Sequence, residues 1–452
     1  MENAFFKKRV NFALSTPRTS LIVHLYKNYF LNMKKTAFSI VAALFALGLA
    51  AQTAEPYEFK EFKKLPPTPV KSQDQTGTCW AFSSASFLES EAIRLKKGEH
   101  NLSEMFVVRH IYRQKCENYV RRQSRAQFGE GGLAHDLLNA VKAFGIVTEA
   151  SYPGRKDPKK PYNHSQLEKN LKKKCDALVE QGQKGELGEN WLSEIDQMLD
   201  EEFGPVPSKF TVDGLVFTPL TYRDFLGFKP DDYVTITSFA HHPFWEKFVL
   251  EIPDNWANGQ FYNLPLSDLM RCANYSIQQG YTLEWDADVS NEGFSAKNGL
   301  AIVPATAWKD KDAAAQSNTF KYWEPQQTVT QESRQKLFDR QITMDDHLMH
   351  ITGILDEKHT GVYYVVKNSW GEISDLKGYV YCSEAYMRQN TISFTVHKDA
   401  LPVDIRRRLG LEAGDVTIEK AKPATSGSGK LQPSKRPRLE KPAEPIQKPS
   451  GN

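Results

Sequence analysis

One short run limits this chain more than any other: Gln73-Asp74-Gln75-Thr76-Gly77-Thr78-Cys79-Trp80-Ala81-Phe82-Ser83. Beyond Cys79, the apolar positions Ala81, Phe82, Ala85, Leu88, Ala92 and Leu95 recur at three- and four-residue steps until Gly98. That spacing predicts a buried helix beginning at Cys79. A helix N-terminus leaves backbone N–H groups unpaired and carries the positive end of the helix dipole. A thiol placed there has reason to ionise below its ordinary pKa of about 8.5. The Cys79 backbone N–H and the side-chain amide of Gln73, six residues upstream, can donate together to an oxygen that gathers negative charge. A cysteine that opens a buried helix is more often mere packing, so a chemical role requires a base elsewhere in the chain.

The rest of the chain divides by pattern. Helical periodicity covers residues 103–113 and 135–144, and residues 155–205 are charged and helix-prone. Residues 206–305 mix short strands and helices, including 233–239 and 266–279. Strand chemistry takes over at 347–355 and 362–368, joined by the turn run Asp356-Glu357-Lys358-His359-Thr360-Gly361, which predicts a hairpin. Residues 378–382 and 391–397 supply further strands. A helical front and a β-rich back predict an α+β fold of two subdomains with a cleft between them. Strand alternation sends His350 to the face opposite His347, and His359 falls in the turn.

Three strings then resemble one family in the order it requires. Gln73-x5-Cys79-Trp80-Ala81-Phe82-Ser83 resembles the active-site segment of the papain superfamily, Asp346-His347 through Gly353 its histidine strand, and Val366-Lys367-Asn368-Ser369-Trp370-Gly371 its asparagine motif. The resemblance implies a papain-like fold, with a helical and a β-barrel-like subdomain, and cysteine-dependent peptide hydrolysis. It makes Cys79 the nucleophile, held as a thiolate in an ion pair with His347, the general base and acid. Asn368 orients that imidazole, Trp370 shields the bond between them, and Gln73 completes the oxyanion hole. Gly131 and Gly132 resemble the segment that lines the cleft, where the lack of side chains lets backbone approach an extended substrate.

Between Tyr152 and His347 lie 194 residues, more than the plain papain pattern needs, so an insertion is expected at about 155–305 of a peptidase domain spanning 65–412. Phe217-Thr218-Pro219-Leu220 with Tyr222, Asp286-Ala287-Asp288-Val289, and Gly378-Tyr379 ahead of Val403-Asp404 resemble the bleomycin hydrolase and aminopeptidase C branch. That branch implies removal of N-terminal residues from peptides, a homohexamer, and a C-terminus lying in the cleft. This chain departs from it by running on to Asn452. A papain-like endopeptidase is therefore the alternative, and a non-catalytic binding or scaffold protein that keeps the fold is the alternative from another class.

The ends carry the basic charge. Residues 33–51 read Met-Lys-Lys and then a short apolar run ending in small residues, the pattern of a cleaved signal peptide, with residues 1–32 a mis-called extension. Export, to a bacterial periplasm, is the expectation, with no lasting membrane span. Residues 1–50 hold seven Lys/Arg and one Glu, so the remainder has 51 basic and 54 acidic residues, which disfavours a nucleic-acid partner. Residues 421–452 combine six prolines with seven Lys/Arg, the composition of a disordered tail. The five cysteines include no CxxC pair, and neither His241-His242 nor Asp286 with Asp288 shows further metal-ligand spacing. No metal and no cofactor are expected; the partners expected are peptide substrates.

Overall fold

A computed structural model describes residues 55–412 except residue 158. The segments read as extension, signal peptide and disordered tail lie outside the described residues.

The helical half holds α1 (Cys79–Arg94), α2 (Glu104–Arg121), α3 (Ala134–Phe144), α4 (Ser165–Gln183) and α5 (Leu192–Phe203). α1 starts at the expected residue, and every side chain from Cys79 to Ala92 is buried, Ser83, Ser86, Glu89 and Glu91 included. A helix buried all round must have partners for its polar groups as well as its apolar ones. Apolar residues of all five helices, among them Trp80, Phe106, Leu137, Leu171 and Leu199, form one core cluster. α2 opens on a Ser103 cap whose hydroxyl accepts from the Phe106 N–H at 3.0 Å and runs on to Arg121, past the expected end at 113, because Cys116, Tyr119 and Val120 continue its buried face.

The other half is an eleven-stranded mixed sheet. Seven of its strands concern the site: β1 (Phe59–Lys64), β2 (Tyr233–Thr237), β3 (Leu283–Ala287), β4 (His347–Glu357), β5 (Gly361–Lys367), β6 (Tyr379–Ser383) and β7 (Thr391–His397). They are ordered β2-β7-β3-β4-β5-β6, with β1 pairing antiparallel to the far end of β4. Short strands extend both ends of the path, at Gln260–Asn263 and Lys247–Val249 beyond β2 and at Leu300–Ala301 and Phe294–Ser295 beyond β6. β4 and β5 form the expected hairpin, with a register shift between Ile351 and Gly353. A second core cluster lies on this half, where Trp285, Met349, Ile351, Tyr364 and Phe394 meet Leu269, Ala273 and Ile277 of the helix Leu266–Gln278.

Residues 155–305, expected as an insertion, supply strands inside the sheet. β3 lies between β7 and β4 with all five residues buried, and β2 pairs with β7. Strands this far into the sheet are part of the core, and only the tertiary pairing distinguishes them from insertion. β1, FKEFKK, has five of its six residues exposed and carries no apolar alternation to signal it in the sequence.

Candidate active site

Two loops are zipped together before any catalytic group is placed. The Gln73 N–H donates to Ser369 O at 2.8 Å, and the Gly371 N–H donates to Lys71 O at 3.1 Å. This antiparallel pairing sets the segment before Cys79 beside the segment after Asn368, so residues about 290 apart in sequence are fixed by backbone alone. The Gln73 side chain is then held at both ends. Its Oε1 accepts from Ser369 Oγ at 2.7 Å, and its Nε2 donates to Thr76 O at 2.8 Å. One N–H of that amide stays free for an oxyanion.

β4 and β5 present the other two groups. His347 opens β4, Asn368 follows the last residue of β5, and His347 Nε2 lies 2.7 Å from Asn368 Oδ1. The Ser369 N–H also donates to that Oδ1, at 2.7 Å. An oxygen that already accepts from a backbone N–H is an acceptor for His347 too, so the imidazole carries its proton on Nε2 and leaves Nδ1 as the basic nitrogen. Trp370 covers this pair with its ring 4.6 Å from the His347 ring, tilted by 30°. The backbone N–H of Leu348, the residue after His347, is directed at the Cys79 thiol, which puts nucleophile and base strand side by side. Thr78 gives α1 no side-chain cap, and the Ala81 N–H turns back to Thr78 O at 2.9 Å, which leaves the Cys79 and Trp80 N–H groups at the open end of the helix.

Gly131 and Gly132 face this nucleophile across the start of α1. Trp80 Nε1 donates to Glu130 O at 3.0 Å, and the Gly77 N–H donates to Glu130 Oε2 at 2.6 Å. A Cβ on Gly132 would stand 3.1 Å from the Trp80 ring, so glycine is what lets this strand of backbone lie flat on the indole. A Cβ on Gly131 would fall 2.0 Å from Asp254 Oδ2. The buried ammonium of Lys115 donates to Gly129 O at 2.8 Å and to Gly131 O as well. Gly131 thus has its carbonyl taken by Lys115 and one face covered by Asp254.

The model of the Peptidase C1-like family matches residues 32–417. This chain belongs to that family. Among the relatives of this C1-like peptidase, Aminopeptidase C of Listeria innocua serovar 6a is 22% identical over 375 residues, covering 74% of this chain and 81% of the relative. Aminopeptidase W of Lactobacillus delbrueckii subsp. lactis is 24% identical over 388 residues, 74% and 82% of the two chains. The crystal structure of PepW from Lactobacillus rhamnosis HN001 shares the fold, with a TM-score of 0.62 at 18% identity over 78% of this chain and 84% of that one.

In this peptidase Cys79 and His347, the candidate pair, are both buried. Burial is the largest influence on the Cys79 thiol and pushes it up to about 12; the Leu348 N–H opposes that, and the carboxylates of Asp254, Asp345 and Asp286 add to it. Burial also lowers the His347 imidazole, against the Asn368 hydrogen bond and the charge of Asp346. Burial weighs against charge on both groups, while the Leu348 N–H at the sulfur and the Asn368 hydrogen bond at the imidazole favour it. The cause common to both is desolvation.

The competing candidates have structural partners. His350 is fully buried, on the strand face that meets α1, with Nδ1 2.9 Å from Ser86 Oγ. His359 stacks on Trp323 at 4.4 Å. Asp288 accepts from the Ser290 and Met344 N–H groups. His241, His242 and Glu251 do bring ligand atoms within 4.8 Å of one another. However, Gln335 Nε2 donates to His241 Nδ1 at 3.0 Å, while Gln335 Oε1 accepts from the Ala240 N–H. That fixed amide leaves the neutral ring's proton on Nε2, aimed at Glu251, and the cluster reads as hydrogen-bonded rather than metal-ligating. All five cysteines are unpaired. Among the described residues no helix is long and apolar enough to cross a membrane. The groups that sequence reasoning missed are Lys115, Glu130, Asp254 and Asp345. Only Glu130, inside Gly129-Glu130-Gly131-Gly132, had a local signal.

Proposed function

We propose that this cysteine peptidase is an aminopeptidase, releasing N-terminal residues through a thioester acyl-enzyme. Cys79 Sγ attacks the scissile carbonyl carbon as its proton passes to His347 Nδ1. The Cys79 N–H and the free Gln73 amide N–H take the oxyanion, and His347 then returns the proton to the departing amine. Water, deprotonated by the same imidazole, releases the acyl group.

One observation carries the choice of exopeptidase. The segment between Lys247–Val249 and Gln260–Asn263 folds back onto the cleft, anchored by Trp256 Nε1 donating to Asp136 Oδ2 at 3.0 Å, and lays the Asp254 carboxyl over Gly131. An extended chain running past Gly131 would need that volume; a short acyl portion would not. The relatives named aminopeptidases support the same reading.

The test is digestion of one peptide with a free and with an acetylated N-terminus, followed by mass, before and after removal of residues 421–452. Stepwise loss from the free end alone is the expected result in both forms. Internal cuts in the acetylated peptide would overturn the assignment.

A further inference from the structure

Residues 250–259 form a loop whose shape is fixed from within. Its roots lie in the core of the helical half, where Phe248, Leu250, Ile252 and Phe261 join the cluster that holds Trp80 and Leu137. Between those roots the backbone makes two successive turns. The Asn255 N–H donates to Ile252 O at 3.2 Å, and the Asn258 N–H donates to Asn255 O at 3.1 Å. Asn258 takes a φ of 55° to close the second turn, a left-handed value that asparagine tolerates better than most side chains. The buried amide of Asn255 then ties the loop's ends together: Nδ2 donates to Leu250 O and to Gly259 O, both at 3.0 Å, and Oδ1 accepts from the Gly259 N–H at 2.7 Å. A polar network satisfied to this degree holds one conformation.

That rigid loop touches both walls of the cleft. On the helical wall, Trp256 Nε1 donates to Asp136 Oδ2 at 3.0 Å, the oxygen that also accepts from the Leu133 N–H at 2.9 Å where α3 opens. A Cβ on Gly259 would stand 2.3 Å from the His135 ring, so the loop's backbone lies directly on the first turn of α3. The Trp256 ring has the Lys115 ammonium 5.6 Å from its centroid, and that ammonium holds the carbonyls of Gly129 and Gly131. On the sheet wall, the Asp254 N–H donates to the Asp345 carboxylate, two residues ahead of His347 at the start of β4. A segment bonded to residue 136 on one side and to residue 345 on the other spans the gap between them, with its Asp254 side chain over Gly131. The Trp256 bond is made by a side chain and can be removed by substitution, whereas the bond to Asp345 is made by backbone.

Resting on the aminopeptidase reading, we infer that Trp256 is a specificity-determining residue: it pins residues 250–259 as a strap across the cleft, and the strap excludes any substrate chain that continues past Gly131. The exclusion is steric. A peptide whose N-terminal residue ends short of the strap reaches Cys79, and one extended by further residues or by an acyl block meets the strap instead. Tryptophan suits the task because its ring packs beside Lys115 while its single N–H fixes the strap to the start of α3. Without that N–H the strap loses its side-chain bond to Asp136, and the volume over Gly131 opens to a longer acyl portion.

The experiment uses the full chain and compares kcat/KM for alanyl-aminomethylcoumarin with that for acetyl-trialanyl-aminomethylcoumarin, in the parent and in Trp256→Ala. The parent is expected to cleave the free alanyl amide and to leave the blocked one intact. Trp256→Ala is expected to raise the ratio of blocked to free hydrolysis by about tenfold or more, the size of change that steric discrimination in a pocket gives. Trp256→Phe keeps the ring and removes only the N–H; it is the second variant should the first fail to fold, and it is expected to move the ratio in the same direction. A general loss of order lowers both rates together, so gained cleavage of the blocked amide is a result that a purely structural role for Trp256 does not produce. A parent confined to the free amide, with both variants keeping its ratio, overturns the strap and leaves the aminopeptidase reading standing. A parent that cleaves the blocked amide as readily as the free one overturns the aminopeptidase reading and the strap with it.

Discussion

At Cys79 two opposing influences meet on one sulfur. The open end of α1 and the Leu348 N–H favour the thiolate, while burial and the three carboxyls disfavour it. Removing one of those negative charges must lower the thiol pKa. With Asp254→Asn, the rate of iodoacetamide alkylation at Cys79 should therefore rise at lower pH than in the parent. An unchanged profile would mean that the acids do not govern the thiol. Cys79, Gln73, His347 and Asn368 were legible as candidates because each sits in a short string with its own chemistry. Asp254 had no such string: its meaning arises only when residue 254 lands on residue 131.

β3 shows what a single element can conceal. Its sequence, LEWDA, alternates apolar and acidic residues, which reads as a strand with one wet face. In the sheet both faces are covered. Glu284 is 0% exposed, with one carboxyl oxygen accepting from Ser83 Oγ at 3.2 Å and the other unpartnered. Burial pushes its carboxyl up to about 8. The sign follows from linkage. The folded value lies above the unfolded value of about 4.3, so the contribution to stability is full below that value and is lost as pH rises through the folded one. Glu284→Gln should reduce the fall in melting temperature between about pH 5 and about pH 8.5. A variant that loses as much as the parent over that window would show that Glu284 is not the titrating group. The helices were read more faithfully than the strands because their periodicity is local, whereas β1 and β3 are defined by what pairs with them.

Across the whole molecule, the helical half and the sheet are joined by a buried polar seam. Lys71 Nζ reaches Glu104 at 2.6 Å and Glu89 at 3.4 Å, and Glu89 also accepts from the Leu102 N–H. Thr68 donates to Glu89 and accepts from Lys367 Nζ, which in turn donates to Ser86 on α1 at 2.7 Å. Both glutamates are almost fully buried, and Lys71 is 26% exposed. Lys71→Ala would leave those two carboxylates without their ion-pair partner, at a cost of about 3 kcal/mol in urea unfolding. A loss within about 0.5 kcal/mol, the size of an ordinary surface change, would contradict that role. The seam also explains why Lys71 and Lys367 flank the catalytic loops: the charges that lock the two halves together sit directly beneath Gln73 and Asn368 in sequence.

The sequence alone determined the chemistry of this protein: a thiol at a helix start, an amide six residues before it, and a histidine and an asparagine on the two strands of one hairpin. Each depends on neighbours in the chain, and local physics suffices to read it. Tertiary structure decided what surrounds that chemistry. It placed β3 inside the sheet, buried Cys79 and His347, and folded a loop of the expected insertion over Gly131 to bring Asp254 to the cleft. Electrostatic environment and access depend on which distant residues share a cavity, and no periodicity or spacing along the chain encodes that.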